Sequence, residues 1–149
     1  MKYFAVIDTN VLVSAMLKWQ SVPGNVMEFV LDGFIIPVLN KEIVAEYRTV
    51  LARPKFRLDE EIITDIIDSL ENVGFYVDAE TIDIELPDSK DRVFYEVVME
   101  KRKEEETYLV TGNIKHFPDE PFIVKDCWET RPLKPVKPRS KTIINRRLR

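Results

Sequence analysis

Five apolar residues in a row, Tyr3-Phe4-Ala5-Val6-Ile7, run straight into Asp8-Thr9-Asn10, and that abrupt change narrows what the chain can become. An unbroken apolar run leaves no side for solvent, so as a strand it has to be covered on both faces, the condition of a parallel sheet wrapped by crossover helices. Asp8 then stands where the strand ends and a helix begins. Open parallel sheets bind ligands outside the carboxyl ends of their strands, which makes a carboxylate at this point a candidate for chemistry.

The hydrophobic periods along the chain agree with such a sheet. After the first strand, residues 10–18 and 22–32 have helical spacing, Gly33 stops the second helix, and Phe34-Ile35-Ile36-Pro37-Val38 is a short strand. Asn40 suits the N-cap of a helix that runs to about Ala52 and is ended by Pro54. Residues 59–72 form another helix, with Ile62, Ile63, Ile66, Ile67 and Leu70 on one side, and Gly74 precedes the strand Phe75-Tyr76-Val77. Pro87 and Asp88 introduce a helix from about Ser89 to Lys103, followed by the buried strand Tyr108-Leu109-Val110 and a last short one, Phe122-Ile123-Val124. The expected order is β-α-α-β-α-α-β-α-β-β: an α/β, three-layer fold with a central, mostly parallel sheet between helices.

Length and charge set the organisation. The 149 residues, 45% hydrophobic, suffice for one core and are short for two, so one domain is expected over 1–130. Eight of the 22 basic residues lie in 131–149, which has no acid, leaving 14 bases against 26 acids before it. That is an acidic body with a basic arm, spaced by Pro132, Pro135 and Pro138 and expected to be extended. Lys134, Lys137, Arg139, Lys141, Arg146, Arg147 and Arg149 are its candidate RNA contacts, against packing in a dimer or simple solvation. One cysteine, Cys127, and one histidine, His116, leave no zinc-type ligand set, so a metal would be held by oxygen. No apolar stretch is long enough for a membrane span and no signal sequence is evident; the expected location is cytoplasmic, with no membrane partner.

Four polar sites can reach the strand ends. Asp8 is the first. Glu46 is the second: on a helical wheel it borders the face of Ile43, Tyr47, Val50 and Leu51, where it either points to the sheet edge or pairs on the surface with Arg53 or Lys41. The third is Pro87-Asp88-Ser89-Lys90-Asp91-Arg92, in which Asp88 caps a helix, Asp91 nearly completes a capping box, and Asp91 can equally face a cation beside Phe94. The fourth, Leu109-Val110-Thr111-Gly112-Asn113, ends a buried strand in a hydroxyl, a glycine fit for close approach or positive φ, and an amide; Thr111 and Asn113 can cap a short helix toward His116. His116 itself is expected to be a surface or packing residue.

In order and spacing, Asp8-Thr9-Asn10-Val11-Leu12, Glu42-Ile43-Val44-Ala45-Glu46-Tyr47, Asp88-Ser89-Lys90-Asp91-Arg92-Val93-Phe94, and Val110-Thr111-Gly112-Asn113 with His116-Phe117-Pro118 resemble the motifs of the PIN-domain family over about residues 1–126. Within that family the chain resembles the toxin components of prokaryotic toxin–antitoxin pairs, VapC-like ribonucleases. The resemblance implies a ribonuclease that uses Mg²⁺ or Mn²⁺, with Asp8, Glu46 and Asp91 as metal-ligating and catalytic acids and Asn113 where many members have a fourth acid. Thr9, Asp88 and Thr111 take supporting roles. It also implies a homodimer and an antitoxin partner, whose basic side chains would suit the acidic body.

Two other functions fit part of the pattern. A non-catalytic PIN-like module that binds RNA or protein is compatible with Asn113 and the acidic surface. A phosphomonoesterase with an aspartate nucleophile after the first strand fits Asp8, but haloacid-dehalogenase-like enzymes have a second aspartate two residues on, where this chain has Asn10.

Overall fold

A computed structural model describes residues 2–125. Its elements are β1 (Tyr3–Ile7), α1 (Thr9–Leu17), α2 (Val22–Leu31), β2 (Ile35–Leu39), α3 (Lys41–Leu51), α4 (Glu60–Val73), β3 (Phe75–Tyr76), α5 (Arg92–Arg102), β4 (Thr107–Thr111) and β5 (Ile123–Lys125), with 3-10 turns at Pro54–Phe56, Ser89–Asp91 and Ile114–His116. Every strand pairing is parallel, and the strand order is β3-β2-β1-β4-β5. The chain builds outward from β1 to β2 and β3, then returns to the other side of β1 for β4 and β5. That reversal opens a crevice at the carboxyl ends of β1 and β4, where doubly wound sheets bind ligands.

Successive strand residues face opposite sides of a sheet, so the burial of Ala5, Val6 and Ile7 together means that both faces of β1 are covered. Leu109 and Val110 in β4 and Val38 and Leu39 in β2 show the same pattern. This is the three-layer α/β arrangement expected from the unbroken apolar runs. Gly33, at φ +83, ends α2 in a left-handed conformation that a side chain would disfavour. Asn40 caps α3 by accepting from the Ile43 N–H at 2.8 Å.

Several details differ from the sequence expectation. Strand β2 is one residue later than the apolar run suggests, and β3 is a two-residue edge strand whose Phe75 and Tyr76 are exposed. It pairs with β2 alone, so half its backbone and both its side chains meet solvent. The helix after Pro87 starts as a 3-10 turn. On α4, Ile63, Ile66, Ile67 and Leu70 are buried in the core, as their spacing on one side of the helix predicts. The basic arm of 131–149, with Lys134, Lys137, Arg139, Lys141, Arg146, Arg147 and Arg149, lies outside the described residues. No helix among the described residues is long and apolar enough to cross a membrane.

Candidate active site

Register brings the first and last polar sites together. Ile7 pairs with Val110 in the parallel β1–β4 ladder, so the next residues, Asp8 and Thr111, stand side by side where both strands end. The Asp8 N–H continues the ladder to the Val110 carbonyl at 2.9 Å, and the Thr111 hydroxyl donates to Asp8 Oδ2 at 2.7 Å. Asn10 ties the two loops together: its Oδ1 accepts from the Gly112 N–H at 3.0 Å, and its Nδ2 makes a longer contact, 3.4 Å, to Asp8 Oδ2. Gly112 thus serves through its N–H, held by Asn10, without the positive φ that glycine permits.

Helices α3 and α5 supply the other acids. Tyr47, buried in α3, donates its hydroxyl to the Ile7 carbonyl at the end of β1, which locks α3 against the strand that presents Asp8. Glu46, the preceding residue, is half-buried, and Thr9 Oγ1 donates to its Oε2 at 3.4 Å. Glu46 makes no ion pair with Arg53 or Lys41 among the described residues. Asp88 caps the 3-10 turn by accepting from the Lys90 N–H at 3.0 Å. Asp91 does not complete a capping box; its carboxylate lies 3.3 Å from His116 Nδ1. Asn113 makes no side-chain cap either; its backbone N–H donates to the Thr111 hydroxyl at 3.0 Å, so Thr111 serves Asp8 and Asn113 at once.

Asp8, Thr9, Glu46, Asp88, Asp91 and Asn113 line one open cavity of about 320 Å³. Thr111 is buried behind Asp8. His116, expected to be a surface or packing residue, is partly exposed, lines the cavity and contacts Asp91. Arg53, Phe56 and Lys90 complete walls that a search for acids does not find.

Burial dominates the electrostatics. Asp8 is 4% exposed, and this desolvation, helped by the Asp91 charge and opposed by the Thr111 hydrogen bond, raises its pKa from an ordinary 3.8 to about 6. Asp91 is raised as well, by burial and then by Asp88, with His116 opposing. Burial first, then Asp8 and Glu46, holds the Tyr47 phenol well above its ordinary range, so it remains a hydrogen-bond donor at every physiological pH. Tyr47→Phe is expected to lose about 1–3 kcal/mol in urea unfolding, the cost of leaving the buried Ile7 carbonyl without its partner. Wild-type stability in that variant would mean the carbonyl finds another donor.

An all-oxygen set of crowded, partly desolvated carboxylates has the chemistry of a hard divalent cation site, since a cation compensates both the desolvation that chiefly raises their pKa values and the repulsion that adds to it. Among the described residues, no group of three or more His, Cys, Asp or Glu is gathered as a ready metal cage, so the expected three-carboxylate set is not drawn to one point. Mg²⁺ does not require one: it keeps several waters and commonly takes only one or two carboxylates besides substrate phosphate. The donor set therefore fits such an ion in type: Asp91 repels the Asp8 charge, and Asp88 and Glu46 repel that of Asp91.

The family model described as PIN domain matches residues 5–115, a span that begins in β1 and ends beyond Asn113. No curated protein and no solved structure matches the chain.

Proposed function

The chain belongs to the PIN domain family, a nuclease-type superfamily, and on that footing we propose that it is a divalent-metal-dependent ribonuclease hydrolysing RNA phosphodiester bonds. The observation that carries this reading is the convergence of Asp8, Glu46 and Asp91, from three separate elements, on one cavity at the crevice of the sheet. In this proposal Asp8 and Asp91 hold Mg²⁺ or Mn²⁺, and Glu46 ligates it or takes a proton from the attacking water. When bound, the ion supplies an acidified water and neutralises charge building on the phosphate. Thr111 keeps one Asp8 oxygen oriented, His116 does the same for Asp91, and Thr9 orients Glu46. Water oxygen bonds to phosphorus as its proton passes to Glu46, the P–O3′ bond breaks, and the 3′ oxygen takes a proton from solvent water, leaving a 5′-phosphate and a 3′-hydroxyl.

The test is cleavage of labelled RNA by the full chain with Mg²⁺, with Mn²⁺ and with EDTA. Cleavage should require the ion and vanish in EDTA, and binding of Mn²⁺ should be visible by calorimetry. Metal binding without cleavage would favour the non-catalytic module instead. The phosphomonoesterase reading has less support, because Asn10 is engaged in tying the loops together and stands where that chemistry needs an acid.

We further propose a toxin–antitoxin role, in which a basic antitoxin segment enters the acidic cavity. Its support is the surplus of acids in residues 1–130, and a homodimer belongs to the same expectation. Asn113, exposed at the cavity wall, brings an oxygen but no charge. Asn113→Asp is expected to tighten Mn²⁺ binding about tenfold or more, the order of one added electrostatic contact in a partly buried site, measured by calorimetry. Unchanged affinity and stoichiometry would assign Asn113 to the turn alone.

A further inference from the structure

One wall of the cavity has no part in the proposed hydrolysis. After α3 the chain makes the 3-10 turn Pro54–Phe56, and Arg57 closes it in left-handed backbone at φ 53. Among the described residues, Arg57 is the one residue other than glycine with positive φ. A left-handed residue commonly ends a helix in this way. Here it ends the segment whose Arg53 and Phe56 line the cavity, with Lys90 contributed by the turn before α5.

The charges on this wall are available. Arg53 and Lys90 are exposed, and neither side chain forms an ion pair among the described residues, although Asp8, Glu46, Asp88 and Asp91 line the same cavity. Four carboxylates against two cations repel an approaching polyanion, so the strand must be held where the cations are. Phe56 is half-buried, and the Lys55 ammonium lies 5.1 Å from its ring centroid. Exposed cations that share a cavity with a half-buried aromatic ring form the combination that holds single strands: charge follows the backbone while the exposed part of the ring stacks on a base, with little regard to which base. In a duplex the base faces are already stacked and cannot reach such a ring.

We infer that Arg53, Phe56 and Lys90 are the strand-holding wall of the cavity, Phe56 stacking on an unpaired base and Arg53 and Lys90 neutralising phosphates. This rests on the ribonuclease reading and assigns the residues of that site that hold the strand beside the acids.

Phe56 also packs against the core, so Phe56→Leu, which keeps apolar bulk and removes the ring, is the informative change, with Phe56→Tyr as its rescue. Binding of a labelled single-stranded oligoribonucleotide is followed by anisotropy in EDTA across a salt series, and its cleavage in Mg²⁺ gives KM and kcat. Phe56→Leu should weaken binding or raise KM about fivefold to a hundredfold, the usual range for loss of one base–aromatic stack, with the salt slope and kcat retained and Phe56→Tyr restored. Arg53→Gln and Lys90→Gln should each flatten the log–log salt slope by about 0.7, one phosphate contact apiece on a single strand. If the wild-type chain cleaves RNA while these variants keep its affinity, KM and slope, this wall is not the holding surface and the ribonuclease reading survives. Equal binding and cleavage of the annealed duplex overturns the stacking role in the same way. A wild-type chain that neither binds nor cleaves RNA overturns both.

Discussion

Asp8→Asn is expected to lose at least a hundredfold to a thousandfold in metal-dependent cleavage while making the protein more stable at neutral pH. The activity loss has the size usual for removing one preorganised electrostatic group from a reacting centre. The stability gain follows from burial. Because the folded-state pKa of Asp8 is raised from 3.8 to about 6, its contribution to stability is fully present below about pH 4 and is lost as pH rises through about 6. Above that the wild type holds an ionised, poorly solvated carboxylate whose cost is at most about 3 kcal/mol. The amide carries no such charge, and its oxygen can still accept from Thr111. Urea unfolding of the two proteins should therefore coincide near pH 4 and separate progressively up to about pH 6–7, with the variant above. A variant that is less stable than wild type at pH 7 would show that the Asp8 charge is compensated by contacts beyond Thr111 and Asn10.

Thr111→Val should have the opposite effect, and nearly as large. Thr111 is fully buried, donates to Asp8 and accepts from the Asn113 N–H, so valine of similar shape removes two hydrogen bonds at once. A hydrogen bond to a charged group contributes about 1.5–3 kcal/mol, and an orphaned N–H adds to the loss where it is buried. The loss should be greatest at neutral pH, where Asp8 is ionised, and smaller near pH 4–5, because the neutral acid needs the donor less. Thr111→Ser should restore most of it. In the activity assay the valine variant keeps all three acids but leaves Asp8 unoriented, so kcat should fall more than KM rises. A uniform loss at pH 4 and pH 7 would separate the role of Thr111 from the charge on Asp8.

Much of the architecture could be read in one dimension because it depends on local rules. An apolar run with no polar face has to be a doubly covered strand, so β1 and β4 were evident from Tyr3–Ile7 and Tyr108–Val110. Asn40 and Gly33 punctuate their helices through their own backbone chemistry, and Ile63, Ile66, Ile67 and Leu70 declare a buried face by spacing alone. Even Glu46 could be placed at the margin of its helix from the period of its neighbours. The order of the strands is different, since β4 pairing on the far side of β1 from β2 is a relation between segments about a hundred residues apart that no local pattern contains.

The cavity was decided at that second level. Its acids could be named as candidates, because carboxylates at strand ends and helix starts stand out. The finer assignments depended on competing hydrogen bonds whose outcome only the assembled fold determines. Asp91 turns to His116 instead of completing a capping box, Thr111 serves Asp8 and Asn113 instead of a helix, and Asn10 joins two loops. Phe56 gave no signal in the chain, and Arg53 and Lys90 stood out only as an ion-pair partner and a motif neighbour, since exposed cations and a half-buried ring are ordinary until folding sets them around a common space. The sequence by itself determined the layers, the helix ends and the list of available acids, all consequences of solvent exposure and backbone geometry over a few residues. The tertiary structure alone decided which side chains share the cavity, because proximity across the sheet is set by strand order and by the β1–β4 register.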